Sequence, residues 1–316
     1  MLNLSNTKPF GFIVLDKPSG LTSHDCIQRL RKIFRIKRIG HAGTLDPDVT
    51  GVLPIAIGNA TRLIPYLRGS KTYVGSFQLG KNTSTDDISG ETISVKKWPE
   101  LNSSDLNNYL NHFRGSIKQK PPQVSSININ GERAYKRFRK GEVMNIPSRE
   151  IEVYKLNLIK WDQILGVIKV EIDCSSGTYI RSIARDLGEL IGCGGCLLKL
   201  RRVQALGFTV EQAIELPKIT TETDQIKPLL LEPSEAIRHL QYIDLESEEE
   251  LNYWRTGRSL NISNNRIKSH TLSKSCQDIF PDKSYIAINK NGILIGIGEY
   301  DNFSKLQPKA VFNPKQ

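Results

Sequence analysis

Apolar and polar positions along the chain change their period several times, and each change predicts an element. Phe12 to Leu15 form a short apolar run closed by Pro18 and Gly20. Ser23 then stands as the cap of a segment with Ile27, Leu30, Ile33 and Phe34 at helical spacing, so a strand, a turn and a helix are predicted to open the fold. Residues 71 to 79 alternate, with Tyr73, Gly75, Phe77 and Leu79 on one face, and predict a strand with Tyr73 turned inward. Residues 82 to 91 are polar and turn-rich and show no evident chemistry, whereas Leu106, Leu110 and Phe113 mark a helix that stops near Gly115.

Period two returns between Ile151 and Asp173 and is clearest at Ile168, Val170 and Ile172. The turn at Ser175-Ser176-Gly177 then leads into a helix that buries Tyr179, Ile180, Ile183, Leu187, Leu190 and Ile191 and closes at Gly192, with Arg181 and Arg185 off that stripe. Past about residue 240 the texture changes. Ser247 and Glu250 form a capping box, a helix through Leu251 and Trp254 ends at Gly257, and a polar stretch runs from Asn261 to Lys274. Asn291-Gly292 then joins two apolar runs as a hairpin. Strands and helices that do not alternate strictly give α+β as the expected class.

Composition narrows the partner. A length of 316 residues suggests about two domains, and 44 basic against 33 acidic side chains give a net charge of +11, which favours a polyanion over a small neutral metabolite. No apolar run approaches the ~18 residues of a membrane span and no signal-peptide pattern opens the chain, so the expectation is a cytoplasmic protein without membrane attachment. Five scattered cysteines, Cys26, Cys174, Cys193, Cys196 and Cys276, predict free thiols rather than a disulfide framework. The single Cys193-Gly194-Gly195-Cys196 lacks a second ligand pair and is weak support for zinc.

The densest chemical signal is Gly40-His41-Ala42-Gly43-Thr44-Leu45-Asp46-Pro47-Asp48-Val49-Thr50-Gly51. Glycines and Pro47 fix the turn so that the Asp46 carboxylate is presented in one orientation. The preceding Arg29, Arg31, Lys32, Arg35, Lys37 and Arg38 supply the positive field that keeps such a group ionised and an RNA backbone close. On local pattern alone an Asp-Pro turn without chemistry has about equal weight.

These residues resemble the signature of the bacterial TruB-type tRNA pseudouridine(55) synthases, G-H-[AT]-G-[TA]-L-D-P-x-[AV]-T-G. Gly11 to Ser23 is similar to that family's opening strand and D-K-P turn, and Lys71-Thr72-Tyr73 to its tyrosine-bearing strand. Cys174 to Arg181 is similar to its arginine-bearing turn and Leu200-Arg201-Arg202 to its L-R-R segment. The match keeps the family's order and spacing over roughly residues 10 to 210.

The resemblance implies an α+β pseudouridine synthase fold with a mixed, largely antiparallel sheet split by a central cleft. It implies a catalytic domain over 1–240, with a tRNA-gripping insertion at about 115–145, and a small β-rich PUA-like domain over 241–316. It further implies isomerisation of a T-loop uridine by base flipping, with Asp46 as nucleophile attacking at the ribose C1′, through a glycal route or at uracil C6. Tyr73 would stack on the uracil, Arg181 would pair with Asp46, and His41 would fill the space left by the extruded base. Lys17, Tyr179, Leu200 and Arg202 would contact RNA or line the pocket.

No cofactor or metal, no guide RNA and a monomer are the corresponding expectations, with the tRNA T-arm as partner. The basic, aromatic-rich stretch Glu132 to Lys140 is similar to the family's gripping insertion, although Ser126 and Asn128 depart from its P-P-x-x-S-A-x-K pattern. The competing class is a non-catalytic RNA-binding or tRNA-folding protein.

Overall fold

The computed structural model describes residues 9–129, 131–219, 229–269, 284–301 and 304–312. Cys276 and part of the polar stretch 261–274 lie outside them. In chain order the elements are β1 (Gly11–Lys17), α1 (Ser23–Phe34), β2 (Ile39–His41), β3 (Thr50–Ile57), β4 (Lys71–Leu79), β5 (Lys81–Thr83), β6 (Thr92–Val95) and α2 (Ser103–Asn111). The middle of the chain holds β7 (Gly115–Gln119), β8 (Asn128–Ile129), β9 (Glu132–Arg133), α3 (Ala134–Arg139), β10 (Arg149–Asp162), β11 (Val167–Cys174), α4 (Ile180–Ile191) and β12 (Gly195–Ala205). The last part holds β13 (Phe208–Thr209), β14 (Ile214–Glu215), β15 (Gln241–Asp244), α5 (Glu248–Arg255), β16 (Leu260–Asn261), β17 (Ser284–Lys290), β18 (Ile293–Tyr300) and β19 (Lys305–Val311). By compactness the chain divides into residues 1–47, 53–69 and 206–316, and residues 48–52 and 70–205.

In the first unit β1 is buried almost throughout and pairs in parallel with β14 through Leu15 and Ile214. Helix α1 turns Cys26, Ile27, Leu30 and Phe34 inward. Its cap is Thr22 rather than Ser23: the Thr22 side chain accepts from the Asp25 amide while the Asp25 carboxylate accepts from the Thr22 amide. Ser23, the expected cap, is instead buried and used elsewhere. The C-terminal sheet runs β15-β17-β18-β19-β16 and encloses its own core of Trp254, Ile243, Leu251, Ile286, Ile288, Ile295 and Leu306. The Trp254 indole Nε1 donates to the Ile295 carbonyl at 3.1 Å. The hairpin stands where Asn291-Gly292 predicted it, both residues having positive φ.

In the second unit the strand order is β12-β4-β11-β10-β7, every neighbour antiparallel. Thr50 and Gly51 of β3 add a parallel pairing to Arg201 and Arg202 of β12. The class is therefore α+β with a mixed, mainly antiparallel sheet, as the periodicity and the resemblance implied. Strand β4 buries Tyr73, Gly75, Phe77 and Leu79 in the predicted alternation. Helix α4 lies directly on β12: a Cβ at Gly188 would collide with the backbone of Gly194 and Gly195, and one at Gly195 would stand 2.6 Å from the Ala184 carbonyl oxygen. The expected stripe of α4 needs two corrections. Leu190 is exposed in the last turn, and Arg181, expected off the stripe, is buried.

Within the region predicted as an insertion, β8 and β9 form a small hairpin leading into α3. Ala134, Met144 and Ile146 are its buried core, with Ile127, Ile129 and Phe138 packed against them. Lys136, Arg137 and Arg139 of α3 fall in its last turn. The four described cysteines, Cys26, Cys174, Cys193 and Cys196, are buried free thiols.

Candidate active site

The Asp46 loop is fastened from below. Lys17, at the end of β1, is 0% exposed, and its ammonium donates to the carbonyls of Pro18 at 2.9 Å, Leu21 at 2.6 Å and Pro47 at 2.8 Å. The Pro47 carbonyl also accepts from the Gly20 amide at 3.0 Å. One residue upstream of Asp46, the Ser23 hydroxyl donates to the Leu45 carbonyl at 3.1 Å and accepts from the Leu45 amide at 2.9 Å. Both neighbours of Asp46 are thus held through their backbones, while the Asp46 side chain stands on the exposed crest of the turn. A buried ammonium holds its charge only when such acceptors replace its water, so Lys17 is well matched to three carbonyls.

Backbone chemistry sets the two ends of this loop. Gly43 has φ of 101°, a region closed to most side chains, and the Ala42 amide donates to the Pro54 carbonyl at 2.9 Å. Gly51 has φ of 104°, and a Cβ there would land on the Arg202 carbonyl. His41 closes β2 opposite Ile55 and is half-buried.

Across β4 and β12 the register places Tyr73 against Arg202 and Gly75 against Leu200, so these side chains share one face. Gly75 leaves room over the strand: a Cβ there would come within 3.1 Å of the Leu200 side chain. Tyr73 is 7% exposed, and Arg202 is 0% exposed with its Nε donating to the Val52 carbonyl at 2.7 Å. Lys71 begins the same strand. Its ammonium is pushed down to about 8 from the ordinary lysine value, first by burial and then by the Arg202 charge. Burial likewise pushes the Cys174 thiol up to about 12, which disfavours its thiolate.

Helix α4 carries the next group. Gln119 of β7 clamps the residue that caps it, donating from its side-chain amide to the Tyr179 carbonyl at 3.0 Å and accepting from the Tyr179 amide at 2.8 Å. The Arg149 guanidinium lies over the Tyr179 ring, 4.6 Å from its centroid. Arg181, 5% exposed, donates from Nη1 to the Thr85 carbonyl at 2.9 Å and from Nη2 to the Val124 carbonyl at 2.8 Å, and Nη1 is 3.4 Å from the Asp87 carboxylate. These partners explain how a guanidinium sits inside. One turn on, Arg185 pairs with Asp86 and Asp186, each at 2.7 Å, and donates to the Lys120 carbonyl at 2.9 Å. Burial raises Asp86 above the usual carboxylate range, against the pull of Arg185.

In the sequence Thr85, Asp86 and Asp87 belong to a polar, turn-rich stretch without evident chemistry. Asp87 also organises that turn, accepting from the Thr85 and Ser89 hydroxyls at 2.7 and 2.6 Å. Their signal was a matched pair: two adjacent acids, and two arginines four positions apart on a helix face. The structure thus joins Lys17 to the backbone beside Asp46, groups Tyr73, Leu200 and Arg202 on one sheet face, and sets Tyr179 and Arg181 at one helix start. Among the described residues no cluster of three or more His, Cys, Asp or Glu side chains is arranged to hold a metal.

Residues 31–180 match the model of the TruB family pseudouridylate synthase, N-terminal domain. A relative named tRNA pseudouridine synthase B from Prochlorococcus marinus strain NATL1A is 51% identical over 310 residues, covering 97% of this chain and 98% of the relative. One of the same name from Synechococcus sp. strain CC9311 is 48% identical, covering 97% and 99%. Among solved structures, a Cbf5–Nop10–Gar1 complex contains a chain that superposes with a TM-score of 0.71 at 22% identity, over 97% of this chain and 86% of that one, a likeness of fold. With half of all positions shared along nearly the full length of the relatives, the chain belongs to the TruB family of pseudouridylate synthases.

Proposed function

We infer that this chain isomerises uridine to pseudouridine in tRNA, acting on the T-loop uridine conventionally numbered 55. The observation that carries the reading is the immobilised backbone on both sides of Asp46, which aims one carboxylate on a loop of the family's signature. Isomerisation breaks the C1′–N1 bond and makes a C1′–C5 bond, with the C5 proton lost and one gained at N1. No electron acceptor and no second substrate are required. A carboxylate that forms and then releases a covalent bond to the nucleotide suffices to divide that exchange into two steps.

In this reading Asp46 is the nucleophile and Tyr73 meets the uracil face and serves the late proton transfer. Arg181 pairs with the carboxylate and fixes its orientation. His41 takes the place of the flipped base, whose extrusion costs a few kcal/mol. Tyr179 and Leu200 border the base, whereas Lys17 and Arg202 act through the backbone they bind. The region 115–145 grips the T-arm and residues 241–316 form a PUA-like RNA-binding module. The substrate is bare tRNA without a guide, handled by a monomer in the cytoplasm; no helix among the described residues is long and apolar enough to cross a membrane.

The test is incubation of unmodified tRNA with the protein and mapping of pseudouridine by base-specific adducts. Asp46→Asn should lower turnover by ~10⁴-fold or more while retaining tRNA binding. Undiminished modification by that variant, or binding without modification by the parent, sinks the reading.

A further inference from the structure

On the outer side of α1 lies a groove of about 500 Å³ lined by Pro18, Ile33, Leu216 and Pro217, with Arg29 and Lys32 at its edge. Arg29 and Lys32 entered above only as part of a general positive field, and no role assigned above uses the groove itself. Its walls are hydrocarbon, yet both cations are exposed and neither makes an ion pair among the described residues. As i and i+3 neighbours on a helix, their Cβ atoms are about 5–6 Å apart, which suits two successive phosphates of one strand.

The groove's position gives the occupant. Pro18 belongs to the turn whose Gly20 amide and Lys17 ammonium bind the Pro47 carbonyl, so the groove opens from the same turn that holds the Asp46 loop. A chain of net charge +11 that sets two exposed cations, with no ion pair among the described residues, beside an apolar wall is complementary to a strand with anionic phosphates and flat, weakly polar nucleoside faces. An apolar peptide would leave the two charges without partners.

We propose that this groove binds the RNA strand flanking the target uridine, with two phosphates on Arg29 and Lys32 and a nucleoside face against Pro18, Ile33 and Pro217. The inference rests on the reading of the chain as a tRNA-modifying enzyme and names a contact that reading does not include.

The experiment is filter binding of unmodified tRNA to the full-length protein over a series of KCl concentrations, with the parent, Arg29→Gln/Lys32→Gln and Pro217→Asp. Pro217 is exposed, so the added acid enters the groove without disturbing the core. Losing two phosphate contacts should make the slope of log K against log salt shallower by about 1.4–1.8 and weaken binding about tenfold or more at the lowest salt. Pro217→Asp should weaken binding too, with the thermal transition unchanged. Parental slope and affinity in the double variant, or parental affinity in Pro217→Asp, overturn the proposal. So does a concentration-dependent dimer of the parent that Pro217→Asp dissociates. Failure of the parent itself to modify tRNA would instead refute the underlying activity, which separates the two conclusions.

Discussion

Replacing Lys17 with methionine keeps a side chain of similar length and removes only the ammonium. Three carbonyls lose a donor, but not equally. The Pro47 carbonyl retains the Gly20 amide, while those of Pro18 and Leu21 lose a charged partner at 2.9 and 2.6 Å in a half-buried site. An orphaned buried acceptor costs about 1–3 kcal/mol, and the relief of no longer desolvating an ammonium offsets part of the total. The net expectation is a loss of about 2–4 kcal/mol, read as a lower urea midpoint with an unchanged slope.

Activity should fall further than stability implies. The bond to Pro47 is one of the ties that fix the peptide following Asp46, and a displacement of about 1 Å at a reacting group costs on the order of 10²-fold. At a temperature where Lys17→Met is still folded, single-turnover pseudouridine formation should therefore drop by about 10²-fold with tRNA affinity retained. A variant that unfolds with the parent, or that is destabilised yet turns over at the parental rate, would refute the assignment of Lys17 as the residue that positions the loop. Loss of tRNA affinity with normal stability would make it an RNA contact instead.

Gly51→Ala should cost more than about 3 kcal/mol, because the methyl group meets the Arg202 carbonyl and the backbone is at φ of 104°; soluble yield and urea midpoint report it. Asp87→Ala removes an anchor of Arg181 and of its own turn, so turnover should fall about 10–100-fold with a stability loss of ~1–3 kcal/mol; normal turnover would show that the other contacts of Arg181 suffice. For Lys71 the folded state lowers the ammonium from 10.5 to about 8 and so penalises the charged form. The unfolded chain holds that proton over a wider range, hence stability rises with pH between about 8 and 10.5 and the penalty is fully present below 8. Relative to Lys71→Met, the parent should gain on the order of 2–3 kcal/mol across that window; parallel urea midpoints for the two proteins at pH 7 and pH 10 would contradict it.

What the sequence revealed and what it hid differ by cause. The alternation of β4 and the Asn291-Gly292 turn were legible because each is a local rule, a period of two and a pair of residues tolerant of positive φ. The Asp46 loop was legible because its glycines and proline constrain the backbone by themselves. The cap of α1 was misread since Thr22 and Ser23 are equally good caps in isolation, and only the demand of Leu45 for a partner 22 residues away decides between them. Arg181 was read as lying off the apolar stripe, because burial of a guanidinium depends on carbonyls 57 and 96 residues distant in the chain. For the same reason Asp86 and Asp87 looked like ordinary turn residues: their meaning lies in arginines about a hundred positions away.

The bare contact between α4 and β12 has an evolutionary corollary. Where Gly188 meets Gly194 and Gly195, the space between helix and strand is already filled by main chain. A single methyl group there would lever the whole helix outward, and Arg181, seven residues towards its start, would travel with it. Drift at these unreactive positions is therefore limited by packing alone, and random mutagenesis scored for soluble, folded protein should find them as intolerant as the buried apolar core.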